Sequence, residues 1–113
     1  MITIWHNPRC SKSRQTLALL EERGEEVNVR NYLEDAPSVA ELTLTRDTLG
    51  LRAIEMMRTG EKLFKELETS KTAPDDALIG MMAAHPILIE RPIVFAKGLA
   101  VIARPPERVF DIL

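Results

Sequence analysis

A five-residue apolar stretch, Ile2-Thr3-Ile4-Trp5 behind Met1, runs straight into a turn and then a helix. The branched and aromatic residues of 2–5 suit a short strand. From Ser11 to Arg23 the apolar spacing changes to helical, with Leu17 and Leu20 on one face and Leu19 beside them. Gly24 stands where a helix-terminating glycine belongs, and Val27 to Tyr32 reads as a second strand. Strand, crossover helix and strand within some thirty residues make a βαβ unit, which imposes parallel pairing.

Downstream of Asp35-Ala36-Pro37 the pattern becomes helical. Ser38-Val39-Ala40-Glu41 is a capping box that predicts a helix from 38 to about 48, closed by Gly50. Short helices are expected over 51–58 and 61–67. Pro74, at a first helical position with Asp75 and Asp76 behind it, opens another that reaches Ala84. Leu78, Met81 and Met82 supply its apolar stripe, as core filler. His85-Pro86 closes this block. Residues 92–96 and 99–103 then read as strands joined tightly at Lys97-Gly98, an antiparallel hairpin. Pro105-Pro106-Glu107 opens a last helix with Val109, Ile112 and Leu113 facing inward. The order βαβ…ββα is that of an α/β, thioredoxin-like, mixed four-stranded sheet. Its middle connection is enlarged into a helical insertion at about 38–86. At 113 residues the chain reads as a single domain, 1–113.

The chain holds one cysteine, so an internal disulfide is impossible. An unpaired thiol beside basic residues suits a reducing compartment, and the cytoplasm is expected. A net charge of -2 argues against nucleic acid as the main partner. The absence of a long apolar run argues against a membrane span, and no metal-ligand cluster is visible. The short N-terminal apolar stretch lacks a basic leader and reads as structure, not as a signal peptide.

Cys10 falls at the strand-to-helix junction, within His6-Asn7-Pro8-Arg9-Cys10-Ser11-Lys12-Ser13-Arg14. Free N–H groups at the helix start, together with Arg9, Lys12 and Arg14, favour thiolate over thiol, so Cys10 is the candidate nucleophile. His6, if protonated, would add Coulomb attraction. Ser13 stands where a second cysteine would complete a Cys-x-x-Cys pair. Any redox cycle must therefore borrow its second thiol from another molecule. Ser13 could also donate a hydrogen bond to the thiolate. Arg91-Pro92 and Arg104-Pro105 flank the two last strands, and Arg58 ends a short helix. A cis Pro92 would bring Arg91 toward Cys10. Three guanidinium groups converging there would suit a tetrahedral oxyanion.

The nine-residue stretch around Cys10, followed by Arg91-Pro92-Ile93-Val94 and Arg104-Pro105-Pro106-Glu107 in this order, resembles the glutaredoxin-dependent arsenate reductase family. Within that family it is similar to the arsenate-reductase-like branch with a Cys-Ser-Lys-Ser motif. The resemblance covers essentially the whole chain. It implies that Cys10 is the nucleophile, that His6 and Ser13 tune it, and that Arg58, Arg91 and Arg104 bind the substrate oxyanion. Arg52, nearby, leaves the third arginine open. It further implies arsenate reduction with glutathione as co-substrate, glutaredoxin as partner, and no bound cofactor or metal. Better-known members carry Gly-Thr where this chain has Ser11-Lys12, which bears on whether arsenate is the physiological substrate. Two other readings compete: a glutathione-dependent thiol-disulfide oxidoreductase acting on another substrate, and a redox-responsive regulator that binds RNA polymerase. The second usually needs the Cys-x-x-Cys switch that Ser13 removes.

Overall fold

The computed structural model describes residues 1–68 and 70–113. The chain divides into two compact units, Met1–Asp35 with Arg91–Leu113, and Ala36–Glu90. The first unit holds strands β1 (Ile2–His6), β2 (Val27–Asn31), β3 (Ile93–Ala96) and β4 (Leu99–Ile102) in the sheet order β2-β1-β3-β4. β1 runs parallel to β2, opposite Val27 to Asn31, and antiparallel to β3, with Ile4 opposite Val94 and Trp5 opposite Ile93. β3 and β4 form the expected hairpin, with Ala96 opposite Leu99. Lys97 and Gly98 both take positive φ, 54° and 75°, the conformation a two-residue turn needs to match strand twist.

Helix α1 (Ser11–Glu22) crosses between β1 and β2. It stops where Gly24, at φ 79°, lets the chain turn back. Gly24 N–H then donates to Glu21 and Glu25 N–H to Leu20, satisfying carbonyls that the helix end leaves open. One sheet face carries the core of this unit. Ile2, Ile4, Val94, Ala96 and Val101 pack with Leu20 of α1 and with Val109 and Ile112, and Leu17 and Val27 close the edge. The last segment, Pro106–Ile112, packs on α1 and β4 as a 3-10 helix rather than an α-helix. Its inward residues are those expected. On the opposite sheet face Trp5 and Phe95 meet with ring centroids 5.0 Å apart.

The second unit holds α2 (Val39–Leu49), α3 (Lys62–Glu66) and α4 (Asp75–Ala84), with 3-10 turns at Ala53–Met56 and Pro86–Leu88. The Ser38–Glu41 capping box forms in full, and Gly50 caps the end at φ 69°. Pro74 is the N-cap and not the first helical residue: its ψ of 145° is extended, and the helix begins at Asp75. Residues 51–58, expected as one helix, yield only the 3-10 turn. Met57 leaves it in extended conformation and bridges to Ile89. The core stripe of α4 is Leu78, Ile79 and Met82, so Met81 sits one step off the buried face. α4 packs against α2 and both 3-10 turns, where Leu42, Met56 and Leu88 are buried, and Phe64 of α3 is buried as well. Among the described residues no helix is long and apolar enough to cross a membrane.

Leu20 is fully buried whereas Leu44 on α2 is 68% exposed. Leu20→Ala is expected to lower unfolding free energy by about 2–5 kcal/mol, and Leu44→Ala by no more than ~0.5 kcal/mol. Urea denaturation of both variants reads the contrast; equal losses would mean that the sheet-face core is misassigned.

Candidate active site

The end of β1 and the start of α1 are tied together by one short loop. Cys10 N–H donates to the Asn7 carbonyl at 3.0 Å, and Arg9 N–H donates to Asn7 Oδ1 at 3.0 Å. Asn7 N–H in turn donates to Ser13 Oγ at 3.0 Å. Arg14 reaches back from α1 so that its Nη1 donates to the Pro8 carbonyl at 2.9 Å. These contacts fix Cys10 as the N-cap residue of α1, in extended conformation and with no side-chain cap of its own. The backbone N–H groups of Lys12 and Ser13, left open at the helix start, favour the charged form of the sulfur.

Cys10 is 8% exposed. Burial pushes its thiol up, but the Arg91 guanidinium, by hydrogen bond and by charge, and the N–H groups of Ser13 and Lys12 outweigh burial. The net result is a thiol below its ordinary range. Arg104 Nη1 stands 3.8 Å from Cys10 Sγ and also donates to the Arg91 carbonyl at 3.0 Å. One guanidinium thus contacts the sulfur and ties down the backbone of the other arginine. The peptide bond before Pro92 is cis, and so is that before Pro105.

Two sequence expectations need correction. His6 is buried beside Ser13, and burial first, then the nearby Arg14 charge, lower its imidazole below the usual value. A neutral His6 offers no Coulomb attraction to a thiolate. Its Nδ1 lies 2.6 Å from Ser13 Oγ. The Ser13 hydroxyl is accordingly turned toward His6 and Asn7 rather than the sulfur. With the imidazole proton on Nε2, that hydroxyl donates to His6 while accepting from Asn7. Ser13 reaches the sulfur by its backbone N–H, and no residue type in the sequence signals such a contact.

Cys10, His6, Ser13, Arg91 and Arg104 are therefore brought together within the first unit. Arg58 belongs to the second. There its Nε donates to Glu61 at 3.0 Å and its Nη1 to Glu90 at 2.9 Å, beside a hollow of about 380 Å³. Arg52, the alternative, pairs with Glu55 and is largely exposed. Asn7 and Arg14 are the residues whose importance sequence reading underrated. Asn7 had the signal of a turn dipeptide, but nothing marked its three hydrogen bonds. Among the described residues no group of three or more His, Cys, Asp or Glu could hold a metal ion.

The model of the ArsC family matches residues 5–112. The chain belongs to that family. An arsenate reductase of Neisseria meningitidis serogroup A is 47% identical over 99% of this chain and 97% of its own length. The YfgD protein of Escherichia coli K12, described as uncharacterized, is 48% identical over 99% and 96%. The solved arsenate reductase of Vibrio cholerae superposes with a TM-score of 0.95 at 53% identity, covering 99% of this chain and 97% of the other. The fold of this ArsC-family chain is thus the thioredoxin-like α/β sheet with a helical insertion.

Titration should separate the two side chains at the heart of the site. Cys10 alkylation by iodoacetamide is expected to rise with a midpoint below the free-thiol value of about 8.5, because arginine and amide donors favour the thiolate. His6 is expected to titrate below about 6.5 by NMR. A lowered histidine favours the native state above its unfolded value, and that stability is lost as pH falls through the folded value. A Cys10 midpoint at or above that of a free thiol would contradict the electrostatics described here.

Proposed function

We propose that this protein reduces arsenate to arsenite through a Cys10–arsenic adduct, drawing electrons from glutathione, with glutaredoxin restoring the thiol. The observation that carries the reading is a buried, lowered thiol with the Arg104 guanidinium 3.8 Å from its sulfur and Arg91 hydrogen-bonded to it. ArsC membership and relatives named arsenate reductase, aligned over nearly the full length, support the choice of substrate.

The steps follow from the groups present. The Cys10 thiolate attacks arsenic and an arsenate oxygen leaves as water, taking up two protons. Arg91 and Arg104 offset the charge that gathers on the remaining oxygens. The resemblance also implies Arg58 as a substrate ligand; within the second unit that guanidinium is engaged by Glu61 and Glu90. Glutathione attacks the Cys10 sulfur of the adduct, forming a sulfur–sulfur bond and breaking the sulfur–arsenic bond. The electron pair of that bond passes to arsenic, and arsenite departs. A glutaredoxin thiol then resolves the Cys10–glutathione disulfide. No second cysteine of this chain is needed, in keeping with serine at position 13. The cytoplasm, where glutathione is reduced, is the compartment proposed.

The test is arsenate turnover with glutathione and glutaredoxin supplied. Cys10→Ser is expected to lose all measurable turnover with an unchanged circular dichroism spectrum, since a serine hydroxyl stays protonated and bonds arsenic poorly. Turnover near wild type in the folded variant would place the chemistry elsewhere. An inactive wild type that still exchanges with organic disulfides would favour a thiol-disulfide oxidoreductase.

A further inference from the structure

Resting on that reading, we propose that Arg9 and Lys12 form a docking site for the carboxylates of the small anionic thiol that reacts with Cys10. Residues 1–20 contain no Asp or Glu, although the chain as a whole is net negative at -2. Within this stretch the cations differ in employment. Arg14 is held on the Pro8 carbonyl, and the charge that lowers the Cys10 thiol is that of Arg91, not the charges of Arg9, Lys12 and Arg14 expected from the sequence. Arg9 is exposed and Lys12 half-buried, and no ion pair or side-chain hydrogen bond engages either among the described residues. They stand one residue before and two residues after the thiol, at the mouth of the loop that Asn7 holds rigid.

The placement suits glutathione better than it suits a tetrahedral oxyanion. An oxyanion bound to the sulfur is met by Arg91 and Arg104, which face it. Glutathione instead carries its two carboxylates on either side of the thiol, several bonds away. Two cations flanking Cys10 along the chain, one exposed and one half-buried, match that spread. They would raise the local concentration of the anionic thiol and hold its sulfur near Cys10.

Disulfide exchange measures this without arsenate. Cys10 thiolate attacks one sulfur of a symmetric disulfide; the new Cys10–sulfur bond forms as the old sulfur–sulfur bond breaks. The displaced half leaves as a thiolate, so Cys10 is oxidised and one half reduced. The probes are glutathione disulfide, neutral 2-hydroxyethyl disulfide and cationic cystamine. The proteins are wild type, Arg9→Glu, Lys12→Glu and the double variant, in which the Lys12 backbone N–H is retained. Dividing each variant's rate by the wild-type rate with the same probe cancels intrinsic disulfide reactivity.

The double variant is expected to lose about tenfold with glutathione disulfide and to gain with cystamine, the rate with 2-hydroxyethyl disulfide staying within about twofold. Raising salt to about 1 M should shrink the glutathione effect, because exposed charges are screened beyond ~3 Å there. A uniform change across all three probes would overturn the proposal, because it would mean damage to Cys10 itself. So would an unchanged glutathione rate paired with slowed resolution by glutaredoxin, because the cations would then serve the protein partner. A wild type inactive on arsenate that still shows this charge selectivity would end the arsenate reading and leave the docking site standing.

Discussion

A thiol withdrawn from water titrates low only if hydrogen bonds and positive charge replace the water it has lost, and the first unit supplies both to Cys10. Desolvation alone would hold Cys10 as a neutral thiol. What reverses the balance comes from distant parts of the sequence. The amides of Lys12 and Ser13 follow Cys10 directly, whereas Arg91 and Arg104 come from the far side of the insertion. The sheet makes that meeting possible. β3 pairs beside β1 and carries Arg91, two residues before its start, to the end of β1 where Cys10 lies. β4 brings Arg104 back along β3, where it donates to the Arg91 carbonyl.

His6 and Ser13 support this centre from beneath. A charged histidine there would have to be desolvated beside Arg14, which explains why the neutral form is preferred. Neutral, it shares a short hydrogen bond with Ser13, whose hydroxyl also receives the Asn7 amide. The loop is thereby clamped from the strand side by Asn7 and from the helix side by Arg14. A side chain held this way would lose little freedom on meeting a target, as the proposed attack by Cys10 requires.

Much of the fold was legible in the sequence because its signals were local. The capping box at Ser38, the glycine after α1 and the Lys97-Gly98 turn each fix a boundary by their own stereochemistry. The failures occurred where tertiary contacts decided. The 51–58 segment is drawn into a bridge with Ile89, and the last segment tightens to a 3-10 helix against α1 and β4. Of the site, the position of Cys10 at a helix start suggested a lowered thiol, and the direction of its shift agrees. Whether Ser13 used its hydroxyl or its amide, and whether His6 was charged, depended on burial and on Arg14's reach, which spacing does not encode.

The account stands or falls on whether the arginines that hold the thiolate can also hold a tetrahedral oxyanion against it. The direct measurement is protection of Cys10 from iodoacetamide by arsenate, sulfate or phosphate, at a fixed pH where the thiolate dominates. Wild type should be protected at millimolar oxyanion. Arg104→Lys should need roughly tenfold to a hundredfold more, since lysine keeps the charge but lacks the planar fork, a difference of about 1.5–3 kcal/mol. An alkylation rate in wild type that no oxyanion changes would show that the guanidinium groups serve the sulfur alone, and the arsenate reading would fail with it.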